Sequence, residues 1–174
     1  MRKVEVVMHN PGWKEAFQVE AEKLQQALGN NAIAIHHIGS TAIPGIYAKP
    51  IIDLLIEVVQ IDRVNECTEA TIALGYDSMG EFGIAGRRYF RKNNGEGVHT
   101  HHVHVFSLTS PEVKRHLRFR DYLIAHPETA QEYSQLKRQL AAQYPTSIED
   151  YMNGKHELIQ RIDRQAAQWD KPQS

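Results

Sequence analysis

The sequence predicts an α+β fold in which a mixed β-sheet with flanking helices is followed by a C-terminal helical segment. Two observations favour this class. Short runs rich in isoleucine and valine alternate with helical spacing over the first two-thirds of the chain, whereas only helical spacing follows Ser110. The predicted boundaries are residues 1–109 for the α/β core and 110–174 for helices packed on it, and a chain of 174 residues has the size of one compact domain.

Local signals predict the elements in chain order. Asn10 before Pro11 is a typical helix start, and apolar residues recur at helical spacing from there to Gly29. Isoleucine-rich runs predict strands over Ala32–Ile38 and Pro50–Val59. The same kinds of signal predict a helix over Ile61–Leu74 that ends at Gly75, strands over Arg87–Arg91 and His101–Leu108, and helices that start at Ser110, Pro127 and Ser147.

The composition argues against several classes of function. Twenty Lys and Arg against 21 Asp and Glu give a net charge of −1, which does not favour bulk binding to nucleic acid. The single cysteine, Cys67, cannot form an internal disulfide, and the first residues lack the apolar stretch of a signal peptide, so we expect a cytoplasmic protein. No apolar run reaches the roughly 20 residues of a membrane span, so no membrane partner is expected.

An aspartate inside an apolar strand is the strongest sign of a functional site. Asp53 interrupts the apolar run Ile51–Ile56. An ionised carboxylate there costs several kcal/mol unless it is paired, hydrogen-bonded or bound to a ligand. A role in a ligand site is the preferred interpretation. The alternative is a buried carboxylate that pairs with Lys49 or accepts hydrogen bonds from the preceding loop.

Strand geometry separates the two acids of this strand. Side chains alternate, so Asp53 and Glu57 share one face and the apolar residues at even positions form the core face. At ~3.3 Å per residue their Cα atoms lie roughly 13 Å apart, whereas paired metal ions lie about 3.5–4 Å apart. The suitable place for a second metal-binding carboxylate is position 55, where the chain has Leu55.

A histidine cluster follows on a later predicted strand. The run His99–His104 holds four of the ten histidines, and His102 and His104 share a face opposite two valines. This pair is a candidate metal or phosphate site, and imidazole suits Zn, Mn, Fe or Ni better than Mg. The alternative is a polar, half-exposed strand face. His104 is the preferred candidate because it lies deepest in the strand.

Several cations are candidates for phosphate contacts. Arg88 and Arg91 interleave with Tyr89 and Phe90 on a predicted strand, although a solvated edge strand shows the same pattern. Three helical cations are candidates of the same kind, with the solvated face of a helix as the alternative: Lys114, Arg118 and Lys137.

The loop between the first two strands supplies further candidates. Gly39-Ser40 permits a tight turn whose N–H groups and hydroxyl can hold a phosphate. Lys49 precedes Pro50, which favours an extended backbone. We expect its ammonium group near Asp53, paired with that carboxylate or with a ligand phosphate.

A set of motifs runs through most of the chain, from the first helix to about Lys155. The motifs are His37–Gly45, Ala48–Asp53, Gly75-Tyr76, His102–His104, Phe119–Leu123, His126-Pro127, Tyr133 and Leu136-Lys137. Together they resemble the GrpB-like family, whose members resemble the nucleotidyltransferase fold of the DNA polymerase β type.

The resemblance implies a nucleotidyltransferase-like mixed sheet in which a Gly-Ser turn and an Asp-x-Asp strand hold divalent metal and a nucleoside triphosphate. Carried over, Gly39 and Ser40 form the nucleotide-binding turn and Asp53 is the first metal ligand. Leu55 departs from the pattern, and His104 is the candidate replacement for the missing ligand. Family members fused to dephospho-coenzyme A kinase point to nucleotide or coenzyme A metabolism.

Three functions follow as hypotheses. The first is a metal-dependent nucleotidyltransferase that moves a nucleoside monophosphate from a triphosphate to a small molecule. Its site would consist of catalytic Asp53 and His104, of Mg, Mn or Zn on Asp53, His102 and His104, and of nucleotide contacts from Gly39, Ser40, Lys49, Arg88 and Arg91. The second, which Leu55 favours, is a catalytically impaired nucleotide- or phosphate-binding module that assists coenzyme A or nucleotide metabolism. The third, a metal-dependent hydrolase, depends on the histidine run alone.

Overall fold

The computed structural model describes residues 4–170. The first three residues of the predicted α/β core, 1–3, and the last four of the predicted helical segment, 171–174, lie outside the described residues. Within 4–170 the chain forms five α-helices and one five-stranded sheet, which confirms the predicted α+β class. The elements are α1 Gly12–Leu28, β1 Ala32–Ile38, β2 Ile52–Val58, α2 Thr68–Ala73, β3 Tyr76–Ser78, β4 Arg88–Asn93, β5 His99–Ser107, α3 Pro111–Ala125, α4 Pro127–Gln143 and α5 Ile148–Trp169.

The helix starts follow the capping chemistry of the sequence. Asn10 Oδ1 accepts a hydrogen bond from the Gly12 amide at 2.8 Å, so α1 begins after the predicted Asn-Pro pair. Ser110 caps α3 and Ser147 caps α5, each with its hydroxyl oxygen 3.2 Å from a backbone N–H of the first turn. The three predicted helix starts of the last third are therefore confirmed.

The sheet has the strand order β1-β2-β5-β4-β3. Strands β2 and β5 are parallel, and the other neighbours are antiparallel. The parallel register pairs Asp53 with His102, and the antiparallel register pairs Asp53 with Ile38 at the end of β1. This pairing brings the aspartate of β2 beside the histidines of β5, which are 49 and 51 residues further along the chain.

Both faces of the sheet are covered. The even-numbered residues of β2 pack with β4 and β5 against α1, as the alternation predicts. On the opposite face, Leu55 packs with Ile38, Phe106 and Val113 of α3. A third apolar cluster joins α3, α4 and α5 to the loop before β2. Among the described residues, no helix combines the length and the apolar character that crossing a bilayer requires.

Two elements differ from the sequence-based prediction. The predicted helix over Ile61–Leu74 is a 3₁₀ segment over Ile61–Cys67 followed by the short helix α2. Strand β3 was not predicted, because three residues are too few to show alternation of apolar and polar side chains. The strand is defined by its antiparallel pairing with β4.

The loop between β1 and β2 is fastened to α4. The Tyr47 amide donates to Ser134 Oγ at 2.8 Å, and Gln131 Nε2 donates to the Gly45 carbonyl at 3.1 Å. The guanidinium carbon of Arg138 lies 4.1 Å from the centre of the Tyr47 ring. The helical segment therefore helps to position the loop that carries Lys49.

A buried carboxylate ties α1 to the far edge of the sheet. Glu20 is 4% exposed, accepts a hydrogen bond from the Tyr76 hydroxyl at 2.8 Å, and pairs with the Lys92 ammonium group. Burial raises the pKa of Glu20, but the hydrogen bonds from Lys92 and Tyr76 outweigh it, and the pKa lies below its ordinary value. The Glu20–Lys92 pair stabilises the fold at pH values above the unfolded-state pKa of glutamate. This stabilisation is lost as the pH falls through the lowered pKa of Glu20 in the folded protein.

We predict that Glu20→Gln lowers the free energy of unfolding by about 2–4 kcal/mol at pH 7, because Lys92 loses its counter-charge in a largely buried position. The difference from the wild type should shrink at pH 3. Urea denaturation at both pH values measures it, with Glu22→Gln on the exposed side of α1 as the control. An equal loss at both pH values would show that the carboxylate charge does not matter.

Candidate functional site

The carboxylate of Asp53 is the centre of the candidate site. Its side chain is 25% exposed, and Oδ1 lies 3.5 Å from His102 Nδ1 and 3.5 Å from His104 Nε2. Burial raises the pKa of Asp53, but hydrogen bonds and charge interactions with the two histidines outweigh it and hold the pKa well below its ordinary value. Asp53 is therefore a permanent negative charge in this cleft.

The Gly39-Ser40 turn lies directly against this carboxylate. Gly39 has φ +75°, and a Cβ atom there would lie 2.5 Å from Asp53 Oδ2. Both the backbone conformation and the space exclude a side chain. The Ser40 and Tyr133 side chains are hydrogen-bonded, so the turn also contacts helix α4 of the helical segment. The predicted turn and the predicted aspartate are thus in contact.

Arg87 fixes the orientation of His104. Its Nη1 lies 3.2 Å from His104 Nδ1, and a guanidinium can only donate. His104 Nδ1 must accept, so the ring carries its proton on Nε2 and presents an N–H to Asp53. Both ring nitrogens are then committed, one to Arg87 and one to the carboxylate. His104 acts here as a hydrogen-bond donor that positions Asp53.

This arrangement does not fit the predicted metal site. A ligating histidine needs a free nitrogen lone pair, and His104 has none. The position of the second carboxylate is held by Leu55, which is fully buried among apolar side chains. Within residues 4–170, no group of three or more His, Cys, Asp or Glu side chains has the arrangement of a metal site. The structure brings Asp53, His102 and His104 together as a hydrogen-bonded group, and metal binding by these three side chains stays a prediction.

Three lysines from different elements interact electrostatically with Asp53. Lys49 from the loop and Lys155 from α5 lie on the Tyr151 ring, with Nζ 4.5 and 4.6 Å from its centre. Lys137 of α4 lies 4.5 Å from the centre of the Tyr133 ring. We call these residues the lysine cluster.

Lys137 is the most deeply buried member of the cluster. It is 1% exposed, and within the described part of the chain its Nζ has no hydrogen-bond partner. Burial, together with the neighbouring Lys155 and Lys49, lowers its pKa to about 6, although Asp53 acts in the opposite direction. Burial and Lys49 likewise lower the pKa of Lys155 to about 8. The cluster has more positive than negative charge.

The structure divides the predicted cationic candidates. Arg91 pairs with His102 across β4 and β5 and so lies on the Asp53 face of the sheet. Arg88 pairs with Val105, so it lies on the opposite face, where its guanidinium contacts Asn65 and Asp62. The structure does not bring Arg88 to the site. Of the helical cations, Lys114 is exposed and pairs with Asp170 at the surface, whereas Lys137 joins the cluster.

Sequence reasoning missed several residues of the site. They are Arg87 as the partner of His104, His116 packed on the His104 ring, and Tyr151 with Lys155 on α5. One signal was available: Lys137 and Lys155 occupy buried-stripe positions of their helices, four residues after Tyr133 and Tyr151. A lysine at such a position is buried unless its side chain reaches the surface.

The five-stranded mixed sheet with its helices resembles nucleotidyltransferase folds. The solved structure of terminal uridylyl transferase 4 from Trypanosoma brucei aligns with a TM-score of 0.54 at 11% identity, over 88% of this chain and 55% of that one. This likeness concerns the fold alone.

The family is shown by closer matches. Residues 3–165 match the family described as GrpB protein, and the chain belongs to the GrpB family. The crystal structure of the conserved protein GrpB from Enterococcus faecalis aligns with a TM-score of 0.91 at 42% identity, over 95% of this chain and all of that one.

Curated relatives differ from this chain in length. The chain is 52% identical over 170 residues to the UPF0157 protein YqkA of Bacillus subtilis, which is 98% of this chain but 49% of YqkA. The chain thus spans about half the length of that relative. A more distant match, 26% identical over 191 residues, lies within a dephospho-CoA kinase of Mycolicibacterium paratuberculosis and covers 46% of that protein.

We predict that Gly39→Ala lowers the free energy of unfolding by at least about 1 kcal/mol more than Gly45→Ala. Both glycines have φ near +75°, so backbone strain is matched, but nothing lies within 4 Å of a Cβ at Gly45. Urea denaturation of both variants measures the difference. Equal losses would show that the Asp53 carboxylate does not contact the turn.

Proposed function

We propose that the region between the sheet and helices α4 and α5, where Asp53 and the lysine cluster lie, binds the phosphate groups of a nucleotide or a related phosphorylated small molecule. The observation that carries the proposal is the Lys137 amino group, buried beside two further lysines with no hydrogen-bond partner among the described residues. Buried polar groups normally have partners, and buried charges are normally paired. A bound anion supplies both a hydrogen-bond acceptor and a counter-charge.

The chemistry of the site favours a ligand with several negative charges. Amino groups come from a loop and two helices, so a ligand that contacts all three needs several acceptor oxygens and more than one negative charge. The Gly39-Ser40 turn lies beside Asp53 and brings the Ser40 hydroxyl to the same region. A di- or triphosphate carries several charges and many acceptor oxygens along a short chain. Nucleoside phosphates and coenzyme A precursors belong to this class and to the cytoplasm, the compartment that the sequence predicts.

Transfer of a nucleoside monophosphate has weaker support. That reaction on this fold uses carboxylates to hold the metal ions that clamp the transferred phosphate. This chain offers Asp53 with both histidines hydrogen-bonded to it and Leu55 in the second position. We therefore propose the binding module as the function, and the first test separates it from the transferase.

We predict that inorganic triphosphate, nucleoside triphosphates or dephospho-coenzyme A raise the melting temperature by roughly 5–10 °C at about 100 times the dissociation constant. The shift should persist in EDTA and in Asp53→Asn, because that change removes a negative charge beside the lysine cluster. Differential scanning fluorimetry with and without Mg, Mn or Zn measures both.

Two outcomes would contradict the binding module. The first is no shift with any of these ligands. The second is a metal-dependent shift that disappears in Asp53→Asn together with pyrophosphate release from a nucleoside triphosphate, which would establish the transferase instead.

A second prediction concerns Lys137 itself. Lys137→Met should stabilise the free protein by about 1–3 kcal/mol, or about 3–10 °C, because an apolar side chain replaces an unpaired buried amine. The lowered pKa implies that the wild type loses stability as the pH falls from about 10 to about 6, and the variant should lose less. The same variant should no longer bind triphosphate.

Thermal unfolding between pH 6 and 9, with and without triphosphate, tests this prediction. Lys114→Met, at an exposed lysine of α3, is the matched control and should leave both properties unchanged. A Lys137→Met protein that is less stable than the wild type would indicate a structural role for this lysine.

A further inference from the structure

A glycine-rich loop, residues 80–86 before β4, carries an exposed aromatic ring in an unusual conformation. Phe82 is 51% exposed and has φ +48°, in the region that L residues rarely adopt. Its ring stacks on Tyr89, with centroids 5.1 Å apart and an interplanar angle of 24°. The ring is therefore held in place although half of its surface faces solvent.

Arg87 fastens this loop to the Asp53 site. The guanidinium donates to the Phe82 carbonyl at 2.9 Å and to the Glu81 carbonyl at 3.2 Å, and its third contact is His104. The Arg87 side chain is almost fully buried. Ile84 of the same loop packs on the apolar cluster around Leu55. The position of Phe82 is thus set by residues that also set the position of Asp53.

The ring lies one aromatic residue away from the histidines of the site. Tyr89 shares the sheet face of His104, and their ring centroids are 5.3 Å apart. His104 in turn contacts Asp53, near which the lysine cluster converges. A ligand with phosphates on the lysines and a planar group on Phe82 would pass over Asp53.

We propose that Phe82 is the stacking platform for the heteroaromatic base of the nucleotide whose phosphates bind the lysine cluster. This inference rests on the proposed function. A flat, exposed ring backed by a second ring offers a large face to a planar ligand. The Arg91 guanidinium lies 5.5 Å from the Phe82 centroid and adds a cation beside the same face of the sheet. The ligand class is therefore a nucleotide with a planar base, rather than an unadorned polyphosphate.

The test compares ATP with inorganic triphosphate on the wild type, Phe82→Ala and Phe82→Trp by isothermal titration calorimetry in EDTA. We expect ATP to bind the wild type more tightly than triphosphate does. Phe82→Ala should weaken ATP binding at least tenfold and leave triphosphate binding unchanged. Phe82→Trp should retain ATP binding, and its added fluorescence should be quenched by ATP but not by triphosphate.

Ile72→Ala is the matched control, because Ile72 is similarly exposed on α2 at the opposite face of the sheet, and it should change neither affinity. Equal affinities of ATP and triphosphate for the wild type, or unchanged ATP binding in Phe82→Ala, would overturn this inference and leave the phosphate site intact. Failure of the wild type to bind either ligand would instead overturn the proposed function, and this inference with it.

Discussion

The parallel pairing of β2 with β5 is the constraint on which the rest of the cleft depends. It sets the Asp53 carboxylate beside His102 and His104, which lie about 50 residues further along the sequence. Once Asp53 is there, Gly39 is the residue that fits the adjoining turn, and His104 must present its Nε2 proton toward the carboxylate. The negative charge thus held lies near the three amino groups of the lysine cluster.

The cleft therefore has a charge balance that differs from that of a two-metal transferase. In a two-metal site, carboxylates outnumber cationic side chains because the metal ions supply the positive charge. Here the positive charge is built into the protein, and the position of the second acid is apolar. A fold does not fix its chemistry. The proposed function assigns to lysine side chains the positive charge that metal ions supply in a two-metal site.

Local chemistry made much of the fold predictable. Strand β1 coincides with its predicted range, and the helix caps lie where serine and proline place them. The alternation of β2 placed Asp53 on the face opposite the core. Alternation also separates Arg88 from Arg91, since an odd spacing in a strand puts two residues on opposite faces.

Long-range contacts limited the prediction of the site. The contact of Arg87 with His104 depends on the path of the loop over residues 80–86, and a glycine-rich segment gives no periodic signal. The convergence of Lys49, Lys137 and Lys155 depends on how two helices pack on the core. A lysine on the apolar stripe of a helix can be predicted to be buried. The residues that surround it cannot be predicted, because they depend on how the helices pack.

The most direct test of the central claim is the number of protons taken up when inorganic triphosphate binds at pH 7.5. Calorimetric titration in two buffers of different ionisation enthalpy measures this number. With a pKa of about 6, Lys137 is mostly neutral in the free protein, and an adjacent phosphate would restore its charge. We expect binding with uptake of about one proton per triphosphate. Binding without proton uptake, or no binding at millimolar triphosphate, would contradict a phosphate site built on this lysine.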